Sequence, residues 1–226
     1  MVPNPRATGS PSDPAGSANV LAAIREAIID GEFVPNQRLV EVDLSQRFSA
    51  SRGGVRLALL ELTNEGLVER TQHRGARVRA VSLDEAVEIS EVRMVVEGLC
   101  AAKAALRANA AQRRELRALG RTMAAAVAAG DVIRYSQLNQ ELHRRIREFG
   151  AQHTAAGVLE RLRGQSVRHQ FRLAMQPGRP AASLPEHQAI IDAICSRDPD
   201  AAERAARAHL ASVIEALRAA QPVVSC

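Results

Sequence analysis

Three histidines and an asparagine occupy apolar faces of segments with helical periodicity. Asn139, Leu142, His143 and Ile146 share one face by the i, i+3, i+4 rule. His187 shares a face with Ile190, Ile191 and Ile194, and His209 shares one with Ala206, Leu210, Val213 and Leu217. Polar groups turned inward need partners. A divalent ion is an economical shared partner for converging imidazoles, and helical bundles bind metals through side chains of facing helices. Each histidine taken alone also fits an ordinary core residue bonded to a carbonyl or to water. As a set, Asn139, His143, His187 and His209 are expected to hold a divalent transition metal. Zn, Ni, Mn and Fe all suit such ligands, although the amide oxygen of Asn139 is a poorer ligand than a carboxylate. Hydrolysis at such a centre needs a carboxylate base beside the metal. Glu141 falls on the face opposite His143, and Glu186 is expected in a helix-capping box, so no catalytic residue is assigned. His169, near Leu162, Ser166 and Leu173 in helical spacing, is expected to border the same cavity, with an ordinary core histidine as the alternative.

A second chemistry sits nearer the N-terminus. Leu44 and Phe48 give a short helical face that Ser49-Ala50-Ser51 breaks. Ser51 can cap a second run, with Val55, Leu59 and Leu62 at helical spacing up to Gly66. Residues 67–70 and 76–78 then pattern as strands around Gln72-His73-Arg74-Gly75, and residues 38–40 as a short strand pairing with them. That is a helix-turn-helix with a wing. Ser51 is suited to a phosphate, Arg52 and Arg56 project one turn apart to phosphate or guanine, and Gly53 clears room for a close backbone approach. His73, Arg74 and Gly75 form a basic tip to the wing. The expected partner is double-stranded DNA.

The elements that must position these groups are mostly helices. The chain has 226 residues, 46% hydrophobic and only 2% aromatic with no Trp, so its cores rest on Leu, Val, Ile and Ala. A first helix is expected over about Val20 to Asp30. From Ser82 onward six helices follow with short connections. Ser82 to Glu85 reads as a capping box, ahead of a stripe of Ile89, Val92, Val96 and Leu99 expected to face inward. Asn109 and Asp131 are expected to cap the next two helices, and a fourth runs over about Thr154 to Met175. Ser183 to Glu186 reads as another capping box, and Asp198 with Pro199 opens the last helix. The expected domains are a disordered tail at 1–18, a winged helix-turn-helix at 19–80, an all-α bundle at 81–220 and a C-terminal tail at 221–226.

The formal charge of +5 permits a nucleic-acid partner without establishing one. The three cysteines, Cys100, Cys195 and Cys226, form no CxxC pair, which argues against a disulfide or zinc-finger scaffold and fits a reducing cytoplasm. No apolar run approaches the ~18 residues of a spanning helix, and no signal peptide is recognised, so no membrane role is expected.

Ser51-Arg52-Gly53-Gly54-Val55-Arg56, with Leu59, Leu62, Glu65 to Val68 and Arg74-Gly75, resembles the winged helix of the GntR family of bacterial transcriptional regulators. Glu91 to Arg93 with Glu97, Asn139 with Leu142-His143, Glu186-His187 and His209-Leu210 resemble the ligand-binding FCD domain of its FadR subfamily, and the six helices resemble its VanR-type branch. The resemblance implies a mainly α protein, a homodimer joined through the bundle, and a palindromic operator. It further implies a small effector, often an organic acid, that changes DNA affinity from a metal-bearing pocket. Arg93 matches a position that holds an effector carboxylate in relatives, and an ion pair with Glu97 is its alternative role. The family usually carries Asp where this chain has Asn139, Thr-Pro where it has Gly53-Gly54, and Glu where it has Leu57. These departures bear on metal affinity and on operator sequence. Two other functions remain open at this stage: a metal-dependent enzyme with an accessory nucleic-acid domain, and a constitutive dimeric DNA-binding protein.

Overall fold

The computed structural model describes residues 14–71 and 75–219 and divides into two compact units after Ala80. Expectations for residues 1–13, His73, Arg74 and the tail at 221–226 lie outside the described residues.

The first unit contains α1 (Pro14–Ile29), β1 (Arg38–Leu39), α2 (Glu41–Arg47), α3 (Arg52–Asn64), β2 (Val68–Thr71) and β3 (Gly75–Val78). The α1 helix starts inside the segment expected to be a tail. Pro14 at its first position has φ pre-set for a helix and gives up an N–H that would lack an intrahelical partner anyway. The sheet is antiparallel in the order β1-β3-β2, with Arg38 opposite Arg77 and Arg70 opposite Ala76. Beneath it Ile24, Val55, Leu59, Leu62 and Val68 form a closed apolar core. Ser49, at φ 50°, makes the turn between α2 and α3. Ser51 then caps α3, its Oγ accepting from the Gly54 N–H at 3.1 Å.

The second unit is a bundle of six helices: α4 (Leu83–Arg107), α5 (Ala110–Ala128), α6 (Val132–Gly150), α7 (His153–Ala174), α8 (Arg179–Cys195) and α9 (Pro199–Ala219). Four starts follow from local chemistry. Ser82, Asn109, Asp131 and Asp198 each accept a backbone N–H three residues on, and Gln112 completes a capping box with Asn109. The α4 helix packs against α6, α7, α8 and α9. Small residues let α6 come close to it: a Cβ on Gly150 would lie 2.7 Å from the Cys100 carbonyl oxygen. Arg107 fixes the same junction by donating to the carbonyls of Gly150 and Ala151 at 2.7 and 2.8 Å. No helix among the described residues is long and apolar enough to cross a membrane.

Two expectations fail here. The α8 helix begins at Arg179, so Ser183 and Glu186 lie inside it and form no capping box. Gly178, at φ 79°, turns the chain into α8, and Pro180 fits the first turn where its missing N–H costs nothing. The apolar stripe assigned to the inside of α4 also divides. Ile89 is buried, but Val92 and Leu99 are exposed, together with Val95. The buried face of α4 instead carries Ala86, Ser90, Arg93, Glu97, Cys100, Ala101 and Ala104. Small residues there admit neighbouring helices, and the two charged ones face a cavity.

Candidate metal centre and nucleic-acid interface

Tyr135, Asn139 and His143 stand one turn apart on α6 and project inward as a column. His187 on α8 and His209 on α9 come in from facing helices. The ring centroids of His187 and His209 are 4.3 Å apart, and each lies 5.4 Å from that of His143. One nitrogen from each ring lies within 4.8 Å of the others, the one such histidine cluster among the described residues. Metal–nitrogen bonds of about 2.1 Å require ligand atoms to lie within roughly 4 Å of each other, so a small inward adjustment closes the set.

Each imidazole is held by its Nδ1. His143 Nδ1 meets Glu97 Oε2 at 3.0 Å, His187 Nδ1 meets the Tyr135 hydroxyl at 2.9 Å, and His209 Nδ1 meets Glu186 Oε2 at 2.8 Å. With Nδ1–H donating, the lone pair of every ring resides on Nε2, the tautomer a metal ligand needs. Burial drives the His187 pKa well below its ordinary value, and the neighbouring His209 and His143 push it the same way. Burial also lowers His209, against the opposing pull of Glu186. Both rings are therefore neutral near pH 7. Two buried atoms at the centre, His187 Nε2 and Asn139 Oδ1, have no hydrogen-bond partner. A buried acceptor left unsatisfied costs about 1–3 kcal/mol, and a cation satisfies both at once. The residues fit a divalent transition ion.

The surrounding carboxylates are engaged. Glu97 takes Arg93 Nη2 on Oε1 at 2.6 Å and His143 on Oε2. Although burial favours its protonated form, the charge of Arg93 and the hydrogen bonds from His143 and Arg93 hold Glu97 well below the usual carboxylate range. Burial likewise raises Glu186, but hydrogen bonds from His209 and Ser212 and the charge of Arg179 leave it lowered overall. Neither carboxylate is positioned as a free general base. Glu141 forms ion pairs with Arg144 and Arg145 on the outer face of α6.

A cavity of about 80 Å³ adjoins the histidines, and Arg93, Asn139, His143, Arg179, His187 and His209 contribute to its walls. Arg93 thus both faces the cavity and pairs with Glu97. His169 is placed differently: its Nε2 bonds the Val81 carbonyl at 2.8 Å, and it is not among the described residues lining the cavity. Tyr135 was not singled out from sequence, although it lies two turns ahead of His143 on the same face. Glu186 reads in the sequence as a capping residue beside His187, and its hold on His209 is not legible there, because spacing along one helix says nothing of a ring on another.

In the first unit, Arg52 is exposed at the start of α3, and a Cβ on Gly53 would meet nothing within 4 Å. The helix surface there is open. Arg56 is exposed but engaged, its Nη2 donating to Glu41 Oε2 at 2.9 Å and its Nε to the same carboxylate. That hydrogen bond, above all other effects, lowers the Glu41 pKa. Gly75, at φ 83°, opens β3 in the left-handed region that favours glycine.

A winged helix-turn-helix and a separate helical unit with a histidine-walled cavity are the parts of a DNA-binding regulator with a ligand domain. Sequence comparison gives the same class: residues 88–212 match the FCD domain, and residues 17–78 match the bacterial regulatory proteins of the gntR family. The FCD match alone spans more than half of the chain, and the protein belongs to the GntR family of transcriptional regulators that carry this domain. It is 25% identical to the HTH-type transcriptional repressor RspR of Escherichia coli K12, over 92% of this chain and 91% of that one. It is 27% identical to the regulator BphR of Paraburkholderia xenovorans LB400, over 86% and 82% of the two chains. Among solved structures, E. coli McbR/YncC superposes with a TM-score of 0.74 at 17% identity, covering 90% of this chain and 97% of that one. A GntR-type regulator of Rhodococcus sp. RHA1 gives 0.71 at 23% identity, covering 92% and 100%. At these identities the two structures speak to fold alone.

Proposed function

We propose that the protein is a cytoplasmic, homodimeric transcriptional regulator of the FadR subfamily, in its VanR-like branch. In this reading it binds a palindromic operator in double-stranded DNA, and an organic-acid effector in the bundle controls its affinity. The observation that carries the reading is the inward set of Asn139, His143, His187 and His209, its rings oriented by Glu97, Tyr135 and Glu186, beside a cavity walled by arginine.

The roles follow from the chemistry of each group. His143, His187 and His209 present Nε2 lone pairs and Asn139 an amide oxygen, a donor set for Zn, Ni, Mn or Fe. A divalent ion there supplies a Lewis-acidic anchor for a carboxylate oxygen. Arg93, steadied by Glu97, presents its guanidinium to the same cavity and orients the acid. His169, whose Nε2 bonds the Val81 carbonyl, makes no contact with the acid in this reading. In the head, Ser51, Arg52, Gly53 and Arg56 offer the DNA-facing start of α3, and His73, Arg74 and Gly75 the wing. An effector changes operator affinity only if it binds two states of the regulator unequally.

The exposed apolar face of α4 supports dimerisation through the bundle. Val92, Val95 and Leu99 recur at three- and four-residue intervals, and all are exposed.

The test combines metal content and operator binding on the same preparations. Protein purified without chelator should carry about one transition-metal ion per chain, lost in His187→Ala and in His209→Ala. Arg52→Ala should abolish the specific gel shift while the dimer persists. Metal-free wild type would leave the histidines as direct effector ligands, and an unchanged gel shift for Arg52→Ala would overturn the assignment of the reading head.

A further inference from the structure

The cavity beside the histidines has an unusual charge balance. Arg93, Arg147 and Arg179 line it, and Glu97 is the one acidic side chain among the described lining residues. Glu97 is already matched by Arg93 at 2.6 Å, and Arg147 pairs with Glu160 at 4.0 Å. Arg179 is the informative one. Its Nη1 donates to the neutral Ser212 Oγ at 2.9 Å, whereas its Nη2 is buried and has no hydrogen-bond partner. The nearest carboxylate oxygen recorded for it, Glu186 Oε2, stands at 3.7 Å and is already taken by His209. A buried guanidinium hydrogen without an acceptor is costly, more so than a neutral one.

The other features of the site add to the same imbalance. The metal ligands are three neutral imidazoles and an amide, so a bound divalent ion would bring positive charge that its own ligands do not offset. Arg179 and Pro180 belong to the first turn of α8, a 17-residue helix whose positive end therefore borders the cavity. Pro180 has no N–H to offer there, which leaves the Arg179 side chain as the charged donor of that wall.

We infer that the cavity selects a compact acid with two anionic groups, one at the histidine and Arg93 side and the second on Arg179. This rests on the effector-site reading above. The volume of about 80 Å³, on a measure where one water needs about 10–15 Å³, suits a short dicarboxylate rather than a long-chain acid. Because Arg179 also neighbours the Glu186 that holds His209, filling this subsite bears on the orientation of a metal ligand.

The experiment is calorimetric titration of full-length, zinc-loaded protein with succinate and with butyrate, which differ by one carboxylate at equal chain length. Wild type should bind succinate about tenfold or more tighter. Arg179→Gln should remove that preference, and Arg179→Lys, which keeps the charge without the fork, should fall between. Equal affinity of wild type for the two acids overturns the inference, and so does a preference that survives Arg179→Gln. The wild-type comparison and the lysine variant decide the matter if the glutamine variant does not fold. Butyrate binding without a succinate preference removes only the second subsite. Absence of binding by either acid removes the organic-acid reading and this inference together.

Discussion

Glu186 and His187 are neighbours in sequence and serve different partners: the carboxylate holds the His209 ring, and the His187 ring is held by Tyr135. Orientation by an outer partner fixes which nitrogen carries the lone pair, and loss of such a partner costs about 10–100-fold in metal affinity. Glu186→Gln should therefore weaken metal binding by about that factor, measured by competition with a chromophoric chelator, with helical content unchanged. An unaltered affinity would show that the His209 tautomer does not depend on the carboxylate. At this scale the inward-facing histidines were legible and their supports largely were not. His143, His187 and His209 announce themselves because polar rings at i, i+3 and i+4 from apolar residues must turn inward. Glu97 was legible only as a partner of Arg93, because spacing reports contacts within one helix and says nothing of His143 on another.

Element boundaries show the same division between local and non-local causes. Ser51, Ser82, Asn109, Asp131 and Asp198 cap their helices as their chemistry predicts, because a cap satisfies donors within three residues of itself. Ser183 to Glu186 has the same pattern and lies mid-helix, since the left-handed Gly178 starts α8 earlier. The α4 helix was misread for a further reason: it has apolar residues on two faces. Periodicity favoured the bulkier set, whereas the buried face holds alanines and the Arg93–Glu97 pair. The outward set of Val92, Val95 and Leu99 has a consequence for assembly. In the dimer proposed above, Val95→Glu would place a carboxylate in the subunit contact and should give monomer in light scattering at micromolar concentration, with metal content retained. A dimer that persists would assign subunit contact to another face.

Across the whole molecule, a net charge of +5 favours association with any polyanion, target or not. Lysines and arginines that neutralise phosphates release counterions, and each contact adds about 0.9 to the slope of log affinity against log salt concentration. Arg56 begins from a different state, because in the protein alone it is bound to Glu41 at 2.9 Å. To reach DNA it must leave that carboxylate, which then faces the phosphates uncompensated. Glu41→Gln should therefore tighten binding to random-sequence DNA and steepen its salt dependence by about one unit. Equal slopes for the two proteins would show that the pair does not persist in solution. In the proposed reading the Glu41–Arg56 pair is an internal competitor for DNA, one that a well-placed guanine displaces more readily than generic backbone does. A head wired this way would shorten idle contact with the bulk of the genome relative to its stay on the operator, with or without an effector.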